Sequence, residues 1–241
     1  MRITQQPAYI LHARPYRETS LLLECLTRDY GRLGMVARGV RGERGRRRRA
    51  QLEPFQRLAV DFTQRGELAT LAGSEVVDTG PVLSGNSSLA GLYLNELVVR
   101  LTARQDAQPA LFDAYAATLV RLASGAATAW TLRRFERDLL TLIGYALPLQ
   151  TETDGETPLQ PAQWYRYDVG QGASRVPALT PQAVRGADLL ALATDTPPDA
   201  AGLAALRRLM REVIRYHLGG SELRAWRVLA PLRGGPPART P

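Results

Sequence analysis

The chain has 241 residues, of which 45% are hydrophobic and 22% charged, so it is read as an ordinary globular protein of one or two domains. A single cysteine, Cys25, excludes an intramolecular disulfide and any Cys-rich zinc site. No apolar run approaches the ~18 residues a membrane helix needs, and the first residues have no signal-peptide pattern, so a cytosolic protein is expected.

Charge is more informative. All 31 basic residues are arginine, against 23 acids, for a net +8. Residues 1–60 hold 13 arginines and 5 acids, and residues 61–241 hold 18 of each, so the whole excess lies in the first quarter. Its densest stretch is RGVRGERGRRRR, Arg38 to Arg49, with seven arginines and one acid, Glu43. Gly39, Gly42 and Gly45 discourage helix, which predicts a flexible loop seeking a polyanion. A merely solvated basic loop is the competing reading. Arginine suits phosphate because it stays charged, forks onto oxyanions and stacks on rings.

Five strand-like runs precede residue 76: Tyr9–Ala13, Ser20–Leu26, Arg32–Arg38, Leu58–Phe62 and Leu68–Ala72. Turn residues separate most of them: Pro15 with Glu18-Thr19, Asp29-Tyr30-Gly31, and Gln64-Arg65-Gly66. Three strands, a long excursion holding the arginines, then a hairpin is the spacing of an OB-fold, a five-stranded, partly open barrel. Such barrels bind single strands by pairing a basic groove with stacking rings. Tyr16, Tyr30 and Phe55 are the nearby rings; Phe55 reads as packed, and Tyr30, in a turn, as exposed.

From Asn86 the hydrophobic period becomes 3.6. Helices are predicted over 86–104, capped by Asn86 or Ser87, from Pro109, and from a Thr128 cap to Gly144. Residues 150–178 break this pattern and carry a hairpin, Tyr165–Val169 with Ser174–Pro177. A short helix from Thr180-Pro181, a long one from Asp199 to His217, and a last one from Ser221 follow. The expected organisation is α+β and multidomain. A barrel over 1–80 precedes an α-helical domain over 81–233, with a loop and hairpin insertion at 145–178 and a disordered tail at 234–241.

Catalytic chemistry is hard to find. Without lysine there is no P-loop. His12 and His217 lack metal-ligand spacing, and His217 as a cation would suit a helix C-terminus. Cys25 alternates within a strand and reads as buried. Glu152, Asp154 and Glu156 could hold a metal weakly, but a solvated acidic loop is the better reading. The residues describe a binding protein and no enzyme, with no metal and no cofactor.

Several ordered segments resemble the RecO family of bacterial recombination mediators. Arg14-Pro15-Tyr16-Arg17-Glu18-Thr19-Ser20, the Gly31-Arg32 turn and Val36-Ala37-Arg38-Gly39-Val40-Arg41 resemble its N-terminal domain. Gly91-Leu92-Tyr93-Leu94-Asn95-Glu96-Leu97, Leu132-Arg133-Arg134-Phe135-Glu136, Leu139-Leu140 and Gly144-Tyr145 resemble its helical domain. Tyr165-Arg166-Tyr167 and Leu218-Gly219-Gly220 match later landmarks. The resemblance implies a cytoplasmic, nucleoid-associated DNA repair and recombination factor. Such a factor binds single- and double-stranded DNA, anneals complementary strands, binds the acidic, aromatic-ended tail of the single-stranded-DNA-binding protein SSB, and works with RecR to load RecA. Many relatives carry a four-cysteine zinc site between the third helix and the later ones. Residues 145–178 contain no cysteine, so this segment is expected to be zinc-free and held by Trp164, Tyr165 and Tyr167.

The expected DNA contacts are Arg14, Arg17, Arg32, Arg38, Arg41, Arg44, Arg46, Arg47, Arg48 and Arg49, with Tyr30 as a stacking ring. The expected SSB-tail contact is Arg133, with Arg137 and Leu140 beside it; the competing reading makes Arg134–Asp138 an ordinary surface pair. An OB-type RNA-binding or translation-associated protein is the alternative function.

Overall fold

The structure is a computed structural model that describes residues 2–42, 45–78, 80–177 and 180–228. Strands β1 (Arg2–Tyr16), β2 (Ser20–Thr27) and β3 (Gly31–Ala37) form an antiparallel meander. A short helix, α1 (Arg46–Gln51), precedes the hairpin β4 (Arg57–Gln64) and β5 (Leu68–Asp78). β5 runs parallel to β3, and β4 closes onto β1 antiparallel, giving a closed barrel in the order β1-β2-β3-β5-β4. This is the OB-fold that the spacing predicts.

The strands are longer than the periodicity indicates. β1 begins at Arg2, seven residues before the predicted Tyr9, because it bends: its register on β4 shifts between Ile3 and Gln6, and on β2 between Ile10 and His12. Bulges break the period-two signal while leaving the pairing intact. Ala8, Ile10, Leu23, Cys25, Leu33, Met35, Leu58, Val60 and Phe62 fill the barrel, each no more than 1% exposed. Cys25 lies wholly inside, where burial raises its thiol pKa, as the inert reading requires.

Helices α2 (Asn86–Leu101) and α3 (Pro109–Ala123) follow. Neither Asn86 nor Ser87 caps α2. Gly85, at φ +53°, is its N-cap, and the Ser87 hydroxyl bonds Ser84. α4 (Thr128–Leu142) begins at Thr128 with Ala127 in the cap position. The hairpin β6 (Trp164–Asp168) and β7 (Gly172–Val176) forms as expected. The helix expected from Thr180 is replaced by a turn and a third strand, β8 (Val184–Arg185), which pairs with Trp164 and Tyr165. Only then does α5 (Gly186–Ala193) start. It starts on glycine because a Cβ there would stand 2.1 Å from the Gln160 carbonyl oxygen. α6 (Ala200–His217) has the predicted Asp199 cap, whose carboxylate accepts the Gly202 N–H at 2.7 Å. α7 (Arg224–Val228) starts three residues after Ser221. The predicted tail at 234–241 lies outside the described residues.

The change from strands to helices near residue 80 is not where the compact units divide. One unit comprises residues through Ala126 together with those from Leu223; the other is Ala127–Glu222. In the first, Tyr9 on the barrel's outer face meets the rings of Phe112 and Tyr115 of α3, both at 5.1 Å. Asn95 of α2 donates to the Leu11 carbonyl at the β1 bulge (2.9 Å) and accepts from Tyr115 Oη (2.6 Å). Glu96 caps α7, accepting the N–H groups of Arg224 and Ala225, both at 2.8 Å. In the second, Leu140, Tyr165, Leu189, Leu192, Leu206, Met210 and Val213 share one core with the half-buried Ile143 and Leu147.

Candidate nucleic-acid interface

The arginine-rich segment ends in helix where its glycines predict a loop. Val40 and Leu52 at its two ends are buried in the barrel core, at 0% and 3% exposure. Gly45 is buried, and only glycine fits there, because any Cβ would stand 2.1 Å from the Gly39 carbonyl oxygen. Between these anchors Arg46–Gln51 turn into helix. Arginine is a good helix former, and Arg48 and Arg49 fall in the last turn, where cations favour the macrodipole. Arg46, Arg47, Arg48 and Arg49 are all exposed, and none makes an ion pair among the described residues. Arg44 lies outside the described residues.

Arg41 ties this segment to the β1–β2 turn. Its N–H donates to the Thr19 carbonyl at 3.0 Å, and Nη1 donates to the carbonyls of Arg17 and Glu18 at 3.1 and 3.2 Å. Arg17, at φ +54°, is one of few non-glycine residues in the left-handed region, a conformation costing ~1–2 kcal/mol. Its guanidinium lies 5.3 Å from the centroid of the Tyr16 ring. Arg14, Arg17 and Arg38 are exposed and have no carboxylate partner among the described residues.

Two expected contacts are structural. Arg32 is only 12% exposed in its side chain; Nη1 binds Glu24 at 2.8 Å, and Nε and Nη2 bind the hydroxyl and carbonyl of Thr102 at 3.2 and 2.8 Å. Arg104 binds the other Glu24 oxygen. This cluster fastens β3 to the end of α2. Tyr30 is not an open stacking ring; it is half-buried, edge-on to Phe62 at 5.7 Å. Phe55 packs as expected, against α2: a Cβ on Gly91 would stand 2.7 Å from its ring.

In the second unit the expected tail contact is rearranged. Arg133 is 6% exposed and forms a fork with buried Glu136, Nε to Oε2 at 2.7 Å. Leu140 is fully buried. Neither presents itself to a peptide, because the helix turns the i, i+4 stripe expected at the surface toward the core. Arg137 remains half-buried, binding Asp138, Asp195 (both 2.6 Å) and the Leu192 carbonyl. Arg134 pairs with Asp195 at 2.8 Å and not with Asp138. Burial opposes ionisation of Asp195, but bonds from Arg137 and Arg134 outweigh it and lower its pKa. Arg137 and Thr141 edge a groove of about 310 Å³ walled by Leu147, Pro148, Leu149 and Ala193.

The acidic loop is occupied by its own structure. Glu152 binds Arg175 at 2.9 Å, and Asp154 accepts the N–H groups of Glu156 and Thr157. Among the described residues no cluster of three His, Cys, Asp or Glu could hold a metal, and no helix is long and apolar enough to cross a membrane. His217 stacks on Tyr145 with centroids 4.2 Å apart, a structural role at the helix end, and burial lowers its pKa.

Residues 1–79 match the family model described as Recombination protein O N terminal, and residues 83–227 match Recombination protein O C terminal. The DNA repair protein RecO of Stenotrophomonas maltophilia (strain R551-3) is 47% identical over 236 residues, covering 96% of this chain and 98% of the relative. The DNA repair protein RecO of Xanthomonas euvesicatoria pv. vesicatoria is 46% identical over 237 residues, with the same coverage. The chain therefore belongs to the RecO family, whose role is DNA repair and recombination.

Proposed function

We propose that this protein is a non-enzymatic recombination mediator of the bacterial cytoplasm. It binds single- and double-stranded DNA, anneals complementary strands, and engages the SSB tail and RecR to help load RecA. The observation that carries the reading is the row of four exposed arginines on α1, held beside an OB barrel and unpaired among the described residues. Anchoring at Val40 and Leu52 presents these charges without letting them collapse onto the protein's own acids. Arg14, Arg17, Arg38 and Arg41 extend the same basic surface toward the β1–β2 turn. Each phosphate neutralised releases counterions, and screening two strands' mutual repulsion allows complementary strands to meet.

Annealing of complementary oligonucleotides, bare and SSB-coated, at two salt concentrations tests this function. Acceleration that fades with salt is expected; no acceleration over spontaneous pairing refutes it, and equal handling of RNA would favour an RNA-binding role. For the SSB tail, the groove beside Arg137 is the better docking candidate than Arg133. Its apolar wall suits an aromatic end, and Arg137 could exchange Asp195 for the peptide's carboxylate. Weaker binding of a tail peptide to Arg137→Ala, measured by anisotropy, is the expected result.

A further inference from the structure

A cavity of about 570 Å³ opens at the β1–β2 turn, lined by Tyr16, Arg17, Glu18, Val36 and Arg38 among others. We infer that this cavity receives one unpaired nucleobase bearing an exocyclic amine, an inference that rests on the DNA-binding reading above. Its volume lies in the range of sites that hold a small planar ligand. Half-buried Tyr16 carries the exposed Arg17 guanidinium over its ring at 5.3 Å; a base takes that place on the flat π wall as Arg17 swings out to a phosphate. Arg17 holds the left-handed conformation at φ +54°, and strain of that kind persists where the surroundings over-determine it, often at ligand clamps.

Glu18 decides which part of the nucleotide enters. Its exposed carboxylate repels phosphate but accepts N–H donors, best the N4 amine of cytosine, because thymine's one N–H lies between two carbonyl oxygens that repel a carboxylate. The phosphates are left to Arg17 and Arg38 at the cavity and to the α1 arginines beyond. Arg41 makes the two regions continuous, since its side chain binds the carbonyls of Arg17 and Glu18. A base in a duplex is stacked and paired, so it cannot enter. The arginines bind either form of DNA, and the cavity adds a preference for single strands.

The test is fluorescence anisotropy of the full chain with labelled oligo-dC, oligo-dT and a duplex of equal length at neutral pH. Wild-type protein binds oligo-dC more tightly than oligo-dT. Tyr16→Ala weakens single-strand binding about tenfold, the size of one base–aromatic stack, and leaves duplex affinity within about twofold. Tyr16→Phe keeps single-strand affinity. Glu18→Gln, at an exposed turn, levels oligo-dC with oligo-dT, because an amide both accepts from cytosine and donates to thymine. Equal affinity of wild type for the two oligonucleotides overturns the inference, as does Tyr16→Ala weakening both DNA forms alike or neither. Alanine at Arg46 to Arg49 separates the two levels. If it leaves the salt dependence unchanged while Tyr16→Ala still acts selectively, the arginine surface fails and the cavity stands. If no DNA binds, both fail.

Discussion

At the residue scale, the same side chain type does opposite work in different surroundings. Arg133 forks onto buried Glu136, so Arg133→Ala removes those charge-assisted hydrogen bonds and should cost about 1.5–3 kcal/mol, read as a lower denaturant midpoint. Arg32→Ala breaks bonds to Glu24 and Thr102, leaving Arg104 on Glu24. It should cost about 1.5–3 kcal/mol and leave DNA affinity unchanged in the same titration. A large loss of affinity with unchanged stability would return Arg32 to the DNA surface. His217 gives a pH dependence. Burial favours its neutral form, so the unfolded chain takes up more protons below about pH 6.5. Stability is therefore full above that pH and declines as pH falls through the lower folded pKa. His217→Gln should flatten this part of a melting-temperature profile, leaving the more acid loss from Asp195 and Asp199, whose pKa values are also lowered.

At the element scale, legibility followed periodicity. α3 and α6 begin at the predicted Pro109 and after the predicted Asp199, because a proline at the first turn and a capping carboxylate are local signals. β1 outruns its periodic stretch because bulges erase alternation, and β8 has no sequence signal because two residues carry no period. The exposed α1 arginines were legible as a charge cluster. Their helical form was not, because the anchoring by Val40 and Leu52 is tertiary. For the same reason Arg32 and Arg133 read as surface cations: Thr102 is 70 residues from Arg32, and although Glu136 is one helical turn from Arg133, the burial of that pair is tertiary. The α1 row has a direct test. Alanine at all four positions keeps helix propensity, so the barrel should melt as before. The slope of log affinity against log salt for single strands should fall by ~3, from about 0.7 per phosphate contact.

At the scale of the whole molecule, the second unit is held by packing. Of the three rings expected to hold it, Tyr165 and Tyr167 are buried in its core, whereas Trp164 is only half-buried and stands outside that core. A zinc chelator should leave its melting temperature unchanged; a drop of several degrees would reveal a metal. The family models meet between residues 79 and 83, yet the compact units part after Ala126 and rejoin at Leu223. The two divisions answer different questions, one about which stretch each family model matches and the other about which residues pack together.

Glu96 receiving the first N–H groups of α7 has a consequence for synthesis. The first unit draws its last helix, with buried Leu223 and Trp226, from the far end of the chain. On the ribosome the barrel can form early, but its unit stays unfinished until residues 223–228 have been made. A nascent chain stalled before Leu223 should consequently be cut by protease around α2, whereas one released after Val228 should resist.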